Sequence, residues 1–309
     1  MMNTRPFLVI TRAGSNSLHR KWIEGTESRN FDLLITEYES SGETPRTDGV
    51  EKIHLAGTKI AGYLNILTTR PELFLQYTHI ALVDDDILMN CDQINECFRV
   101  GKDNQLQLWQ PSLSWDSYFS YAATLHVPFL KLRYTNYVEM MCPFFSSRYL
   151  QQALPLFSLG FETGIDLMWT RLQKNNLYQY AIIDGVIAKH TKPVGRVKEM
   201  QGFSKDYSYD DEIEIVLNKF NITFLGPVTY GAVLSNGITL KSRLVVFMYA
   251  LMLIFALRKS PIKEYMRARI FDHWRHIILR PINNKTVTVD PSHSKHAPPK
   301  SPVIIAKSK

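Results

Sequence analysis

Three adjacent carboxylates, Asp84, Asp85 and Asp86, follow a short apolar run at 80–83. The run has the composition of a strand buried on both faces, the type found in parallel sheets. Side chains alternate along a strand, so we expect Asp84 and Asp86 on one face, where their hard oxygen atoms suit Mg²⁺ or Mn²⁺. Ligands of open α/β sheets bind at the carboxyl ends of strands, which favours a site over the alternative, a solvated acidic turn.

Two further polar residues stand where a site at the same sheet edge would need them. Asp166 lies at the expected start of a helix, where a carboxylate also interacts favourably with the helix dipole. His190 follows a second apolar run at 182–188, and a neutral imidazole in that position can bind a metal ion. Taken singly, each has a structural alternative: a helix-terminal acid for Asp166 and a packed histidine for His190.

The elements that must position these groups alternate between strands and helices. Apolar runs and helical spacing predict strands at 7–10, 31–36, 80–83, 106–109, 137–141 and 180–188, and helices at 59–68, 148–157 and 165–172. This alternation predicts an α/β fold with a mainly parallel sheet. We expect one domain over 1–240, an apolar and basic helical segment over 241–281, and a disordered tail over 282–309.

Composition excludes several classes of protein. The chain of 309 residues is 45% hydrophobic and 21% charged, with a mean hydropathy of −0.15, which excludes a wholly disordered chain and a polytopic membrane protein. Three cysteines without a Cys-x-x-Cys pair argue against a disulfide framework or a structural zinc site. Reduced thiols, and a start too polar for a signal peptide, predict a cytoplasmic protein. The net charge of +7 is compatible with an anionic partner.

The character of the sequence changes after residue 240. An apolar run at 244–257 has fourteen residues, fewer than the about twenty needed to cross a bilayer. Basic residues interleaved with aromatic ones follow as far as Arg280. The pattern resembles an anchor at the inner face of a membrane, and the alternative is a helix buried against the sheet. A nucleic-acid partner is not expected, because the cations lie in one segment without a recognised binding module.

In chain order, a strand-terminal Asp-x-Asp, a helix-start Asp and a later His are the arrangement of GT-A glycosyltransferases, and the sequence resembles that superfamily. More narrowly, it resembles a plant and bacterial domain-of-unknown-function family labelled lysine-ketoglutarate-reductase trans-splicing related. The resemblance covers roughly residues 5–200 and is carried by segments 82–87, 110–114, 133–139, 164–166 and 190–195. It implies a GT-A-like fold, a mainly parallel sheet flanked by helices, with a C-terminal helical extension.

The resemblance also implies an activity: metal-dependent transfer of a sugar from a nucleotide-sugar donor, expected to be a UDP-sugar, to a hydroxyl of a glycan or lipid-linked acceptor. By position, Asp84, Asp86 and His190 would hold Mn²⁺ or Mg²⁺. Asp166 would deprotonate the acceptor hydroxyl in an inverting enzyme. Glu162, four residues earlier, is the alternative base, and a retaining enzyme would need neither as a base.

Further side chains are expected to contact the two substrates. The turn 11–15 lies where GT-A proteins meet the nucleotide, and the expected nucleotide-sugar contacts are Arg12, Ser15, Lys59, Asp84 and Asp85. The expected sugar contacts are Gln110, Ser112, Ser114, Trp115 and Glu139. The structural alternatives are surface cations, turn serines and a core aromatic. Two other functions stay open: a nucleotidyl- or phosphotransferase on the same scaffold, and a non-catalytic membrane-associated binding protein.

Overall fold

The computed structural model describes residues 5–25, 28–39, 44–174, 177–194, 209–223, 226–282 and 285–289. In chain order, the elements of these residues are β1 (Phe7–Ala13), α1 (His19–Ile23), β2 (Phe31–Glu37), β3 (Thr44–Thr47), β4 (Val50–His54), α2 (Lys59–Thr69), α3 (Leu73–Gln76), β5 (His79–Leu82), β6 (Ile87–Leu88), α4 (Cys91–Asp103), β7 (Leu108–Leu113), β8 (Leu130–Thr135), β9 (Phe144–Ser146), α5 (Ser147–Phe157), α6 (Asp166–Trp169), β10 (Tyr180–His190), α7 (Tyr209–Lys219), β11 (Thr229–Leu234), β12 (Thr239–Leu240), α8 (Arg243–Ala250) and α9 (Lys263–Leu279). Two 3₁₀ helices lie at Ala122–Thr124 and Leu251–Arg258.

The strands form one sheet in the order β12-β11-β8-β10-β7-β9-β5-β1-β2-β4-β3, and β6 pairs with β10. Strands β4, β2, β1 and β5 are parallel neighbours, and β7 is parallel to β10. Since β9 is antiparallel to both β5 and β7, the two parallel groups run in the same direction. The predicted α/β fold with a mainly parallel sheet flanked by helices is therefore confirmed.

Strand β1 shows why this sheet is covered on both faces. All seven of its residues are buried, as expected for a central parallel strand. Phe7 and Val9 pack with residues of α4 in one core cluster, while Leu8 and Ile10 pack with residues of α2 and α5 in another. The strand thus separates two cores, and only its carboxyl end is left to contribute to a site.

The strand predicted at 137–141 is wrong, because this apolar segment is a loop between β8 and β9. Its amide groups donate to side chains instead of a neighbouring strand: Tyr137 to the hydroxyl of Thr135, Glu139 to Gln110 and Met140 to Asp166. The helix predicted at 165–172 is likewise shorter, and α6 has only four residues.

Of the C-terminal helices, α8 packs against β11, and α9 packs against α8. Val246 and Ala250 of α8 are buried, and the indole nitrogen of Trp274 in α9 donates to the Ala250 carbonyl at 2.8 Å. In the described part of the chain, no helix is long and apolar enough to cross a membrane. Of the predicted tail, Val287 is buried and donates to the Arg171 carbonyl, whereas 290–309 lie outside the described residues.

Candidate active site

The acidic triplet and His190 meet at one edge of the sheet. Asp84, Asp85 and Asp86 link β5 to β6, and β6 runs antiparallel to the end of β10 so that His190 pairs with Ile87. This short ladder brings the Nε2 atom of His190 to 3.4 Å from Oδ1 of Asp86. Two residues more than a hundred positions apart thus become neighbours through backbone pairing.

The other ring nitrogen of His190 has its own partner. Nδ1 lies 3.1 Å from the carbonyl oxygen of Tyr118, and because a carbonyl only accepts, Nδ1 carries the hydrogen and Nε2 faces Asp86. Burial would lower the pKa of His190, but the hydrogen bond with Asp86 and its charge raise it overall. Burial would likewise raise the pKa of Asp86, yet His190 and then Lys192 lower it overall. A carboxylate oxygen of Asp86 and an oriented imidazole nitrogen of His190 therefore face each other.

The other two carboxylates of the triplet have different partners. Lys59, the first residue of α2, places Nζ 2.6 Å from Oδ2 of Asp84. Burial raises the pKa of Asp84, more than the Lys59 charge lowers it. Asp85 accepts from the Gly14 amide at 2.9 Å and lies 3.7 Å from Nζ of Lys192. The repulsion within the triplet is thus offset by two lysines, an amide and an imidazole.

Two cavities adjoin the triplet. One of about 310 Å³ is lined by Arg12, Tyr38, Gly57, Thr58, Lys59 and the three aspartates. A second of about 420 Å³ is lined by residues 14–17, His19, Arg20, Glu37 and Lys52. The hydrogen bond between Gly14 and Asp85 links their linings. Together they provide polar space beside the carboxyl ends of β1 and β5.

The two nucleotide contacts expected in and just after β1, Arg12 and Ser15, line different cavities and have different partners. The buried guanidinium of Arg12 donates to the carbonyls of Leu55 and Gly57, both at 2.7 Å, and lies over the Tyr38 ring. Burial lowers the pKa of Arg12. Ser15 lines the second cavity, and its amide donates to Glu39 at 2.7 Å.

Two further carboxyl groups, those of Asp166 and Glu139, lie at the loop between β8 and β9. Oδ2 of Asp166 accepts from the Tyr137 hydroxyl at 2.9 Å and from the Met140 amide at 3.3 Å, and burial raises its pKa. Glu139 is only 4% exposed, and its Oε2 finds no hydrogen-bond partner among the described residues. Burial raises the pKa of Glu139 to about 7 against the opposing effect of a hydrogen bond with Ser120. The charge of Asp166 raises this pKa further, and those of His190 and Lys59 lower it. Such a pKa lies close to the operating range of a general acid or base.

The carboxylate of Glu162 has different hydrogen-bond partners from that of Asp166. Its Oε2 accepts from the amide of Ile60 at 3.1 Å, and its Oε1 accepts from the Thr58 hydroxyl. Oε2 therefore satisfies one backbone amide of the first turn of α2, where amides lack partners within the helix, while Oε1 binds the residue that precedes the helix. The structure brings this carboxylate to the N-terminus of α2, which positions Lys59.

The expected sugar contacts around β7 are engaged with the protein. Gln110 is buried, and its amide oxygen accepts from the Glu139 amide at 2.6 Å. Ser112 is buried and donates to the Val186 carbonyl, and Ser114 donates to Asp116. The indole of Trp115 donates to the His126 carbonyl, and its ring packs against the core. These four side chains are bound to other parts of the protein, whereas Glu139 interacts with the charges of Asp166, His190 and Lys59.

Sequence reasoning missed three contributors. Tyr137 and Lys192 stand inside segments that were singled out, but their roles depend on Asp166 and Asp85, which come from other parts of the chain. Tyr38 lines the first cavity, and no local pattern around it indicates a site.

The side chains of Asp86 and His190 fit a divalent cation whose other ligands are water and substrate phosphates. Among the described residues, no group of three or more His, Cys, Asp or Glu side chains is placed to hold a metal ion. Mg²⁺ is usually bound by one or two carboxylates together with substrate phosphates and water, not by an all-protein cage. Asp86 supplies one such carboxylate, and Nε2 of His190 beside it adds a nitrogen donor.

No family model matches the chain, and no curated protein does. Among solved structures, it is similar to residues 1–349 of S. aureus TarS in complex with UDP-GlcNAc, at 11% identity and a TM-score of 0.42, over 88% of this chain and 90% of that chain. It is also similar to glucosyl-3-phosphoglycerate synthase from Mycobacterium tuberculosis in complex with Mn²⁺, UDP-glucose and phosphoglyceric acid, at 12% identity and a TM-score of 0.45, over 71% of this chain and 81% of that chain. Likeness at this level carries no argument on function, and the family resemblance of the sequence stays a prediction.

Proposed function

We propose that this protein is a metal-dependent glycosyltransferase that moves a sugar from a nucleotide-sugar donor, a UDP-sugar in the first instance, to a hydroxyl of a glycan or lipid-linked acceptor. The observation that supports it best is the pair formed by Asp86 and His190 beside a polar cavity at the carboxyl ends of the strands. Sites of open α/β sheets lie at that edge.

The donor would occupy the two adjoining cavities. Their volumes, about 310 and 420 Å³, are in the range of small-molecule sites. Lys59 and Lys192 supply positive charge for a diphosphate, while Asp85 offers an acceptor for a ribose hydroxyl. Arg12 and Tyr38 would lie against the nucleotide base.

Asp86 and His190 would hold Mn²⁺ or Mg²⁺. When bound, the cation would neutralise charge on the departing nucleoside diphosphate. The protein's own part is to keep His190 oriented through the Tyr118 carbonyl, and to keep Asp86 ionised. Asp84, already paired with Lys59, would lie beside the metal ligands without binding the ion directly.

The acceptor hydroxyl needs a base within hydrogen-bond reach. We assign this role to Asp166, whose orientation is set by Tyr137 and the Met140 amide. Glu139, buried with one unpartnered oxygen, is the second candidate. Asp166→Asn and Glu139→Gln separate the two, since only loss of the base should lower kcat while donor binding persists.

A thermal-shift screen against nucleotides and nucleotide sugars, with Mn²⁺, Mg²⁺ or chelator, tests the proposal. Ligand at a hundred times its dissociation constant raises stability by about 2.7 kcal/mol, which is readily measured. We expect a metal-dependent shift with one nucleotide sugar, lost in Asp86→Ala and kept in Asp103→Ala, an exposed control on α4. An unchanged shift in Asp86→Ala would overturn the metal assignment.

Product analysis separates the main alternative. Sugar transfer releases a nucleoside diphosphate, whereas nucleotidyl transfer on the same scaffold releases pyrophosphate. A folded protein that shows no thermal shift with any nucleotide would favour a non-catalytic binding protein.

We place the enzyme in the cytoplasm, at the inner face of a membrane. The free, buried Cys91, Cys97 and Cys142 are in keeping with a reducing compartment.

A further inference from the structure

Exposed apolar side chains are concentrated on the C-terminal elements. Of the sixteen large hydrophobic residues exposed in the described part of the chain, eight lie between residues 244 and 279. Their exposed fractions run from 38% to 69%. They are Leu244, Val245, Met248, Ile254, Phe255, Phe271, Ile278 and Leu279, and we refer to them as the apolar surface.

Contacts between α8 and α9 bring the two parts of this surface together. Arg243, at the start of α8, donates to the carbonyl oxygens of His276 and Arg280 at the end of α9, at 3.2 and 2.6 Å. Trp274 donates to the Ala250 carbonyl at the end of α8. The helices are therefore antiparallel neighbours, and Leu244 shares one end of the pair with the last turn of α9.

Helix α9 buries one face against the protein and exposes the other. Met266, Ile270, His273 and Ile277, at spacings of four, three and four, are buried. The opposite stripe alternates cations and apolar groups, since Arg267, Phe271, Arg275 and Ile278 are all exposed.

Charge is concentrated in the same segment. Residues 241–280 contain nine Lys and Arg but only two Asp and Glu, a net charge of +7. The whole chain, with 36 basic and 29 acidic residues, also carries +7, so the rest of it is balanced. Exposed apolar groups among cations match a bilayer with anionic headgroups. A second copy of the chain is disfavoured as the partner, because the +7 charge of one segment would face the +7 charge of the other. Nucleic acid is disfavoured because it would leave the apolar side chains exposed.

The same helices lie next to the proposed acceptor side. The Tyr265 hydroxyl donates to the Ser120 carbonyl at 3.2 Å, and the Arg269 guanidinium lies 6.0 Å from the Tyr121 ring centre. Tyr121 packs edge-on against Tyr137, with ring centres 4.9 Å apart, and Tyr137 donates to the proposed base.

We infer that the apolar surface, with the cations of 241–280, docks on an anionic lipid bilayer and holds the acceptor side of the site at the headgroups. The docking depends only on the surface itself, while its use for reaching a lipid-linked acceptor rests on the proposed function.

Co-sedimentation of the full chain with vesicles tests the docking. We expect binding to vesicles that contain phosphatidylglycerol, weakened by salt, and little binding to phosphatidylcholine alone. Replacing exposed cations by Arg267→Gln and Arg275→Gln should lower the partition coefficient about thirtyfold, roughly fivefold for each charge. Arg99→Gln with Lys102→Gln, on exposed positions of α4, is the matched control and should bind like the wild type.

A second set of variants tests the apolar part. Leu244→Gln, Met248→Gln and Phe255→Gln together should abolish binding, and their exposure keeps the core intact. Leu75→Gln, Ile215→Gln and Ile238→Gln, equally exposed elsewhere, should not.

Three results would overturn the inference: equal binding to neutral and anionic vesicles, wild-type binding by the surface variants, or a lipid-free dimer in sedimentation velocity that the triple variant dissociates. The proposed function is assessed separately. Asp86→Ala should bind vesicles normally, and the surface variants should keep the nucleotide-sugar thermal shift. Loss of vesicle binding and loss of the thermal shift therefore test the two proposals independently.

Discussion

Glu139 allows the electrostatics of the site to be tested without knowing the substrate. Its carboxyl is 4% exposed, and burial raises its pKa from 4.5 to about 7. Between these two values the folded chain holds a proton that the unfolded chain has released. Glu139→Gln replaces this acid by a neutral group of the same shape, and therefore removes the proton linkage.

The sign and size of the effect follow from this difference. Because the folded state binds more protons in this window, the free energy of unfolding of the wild type falls as pH rises from about 4.5 to 7. At about 1.4 kcal/mol per pKa unit, the loss approaches about 3 kcal/mol above pH 7. The variant should therefore match the wild type near pH 4 and exceed it by about 3 kcal/mol near pH 8.

Urea unfolding at a series of pH values, with chelator present to keep metal off the site, measures this difference. Glu264→Gln, in the first turn of α9 and exposed, is the control and should show no such pH dependence. A difference that stays flat would show that folding leaves the pKa of Glu139 unchanged, and one that shrinks as pH rises would show that folding lowers it. Either result would refute the reasoning.

Three further predictions concern two contacts at the N-terminus of α2 and one buried ion pair, between Arg133 of β8 and Asp184 of β10. Lys59→Met leaves the Asp84 carboxylate without its cation, and should lower the free energy of unfolding by about 1–3 kcal/mol, with part of this loss recovered when Asp84→Asn is added. Arg133→Met leaves fully buried Asp184 unpaired, and calorimetry should show a loss of about 3–5 kcal/mol. Glu162→Gln removes the carboxylate at the start of α2, and should cost about 1 kcal/mol in urea unfolding while sugar transfer persists.

Exposed residues supply the matched controls for these changes. Lys102→Met and Arg275→Met should each stay close to wild-type stability. A Lys59→Met variant as stable as these would mean that Asp84 is hydrated. Complete loss of transfer in a folded Glu162→Gln protein would restore Glu162 as the base.

Features that depend on near neighbours in the chain could be predicted. The apolar runs at 7–10 and 80–83 predict β1 and β5, because a strand buried on both faces needs a continuous apolar sequence. The acidic triplet and His190 could be placed at the same sheet edge for a related reason: each lies just past such a run, and the carboxyl ends of parallel strands share one edge. Strand order and contacts could not be inferred in this way.

Features that depend on distant partners were decided by the tertiary structure. Asp166 and Glu162 are both carboxylates near the start of a short helix, but Glu162 accepts from the amide of Ile60, some hundred residues away, whereas Asp166 accepts from the Tyr137 hydroxyl. The apolar segment 137–141 is a loop because the side chains of Gln110 and Asp166 take its amide hydrogens. Hydrogen-bond partners and loss of water set what a polar group does, and both are properties of the packed molecule, not of local sequence.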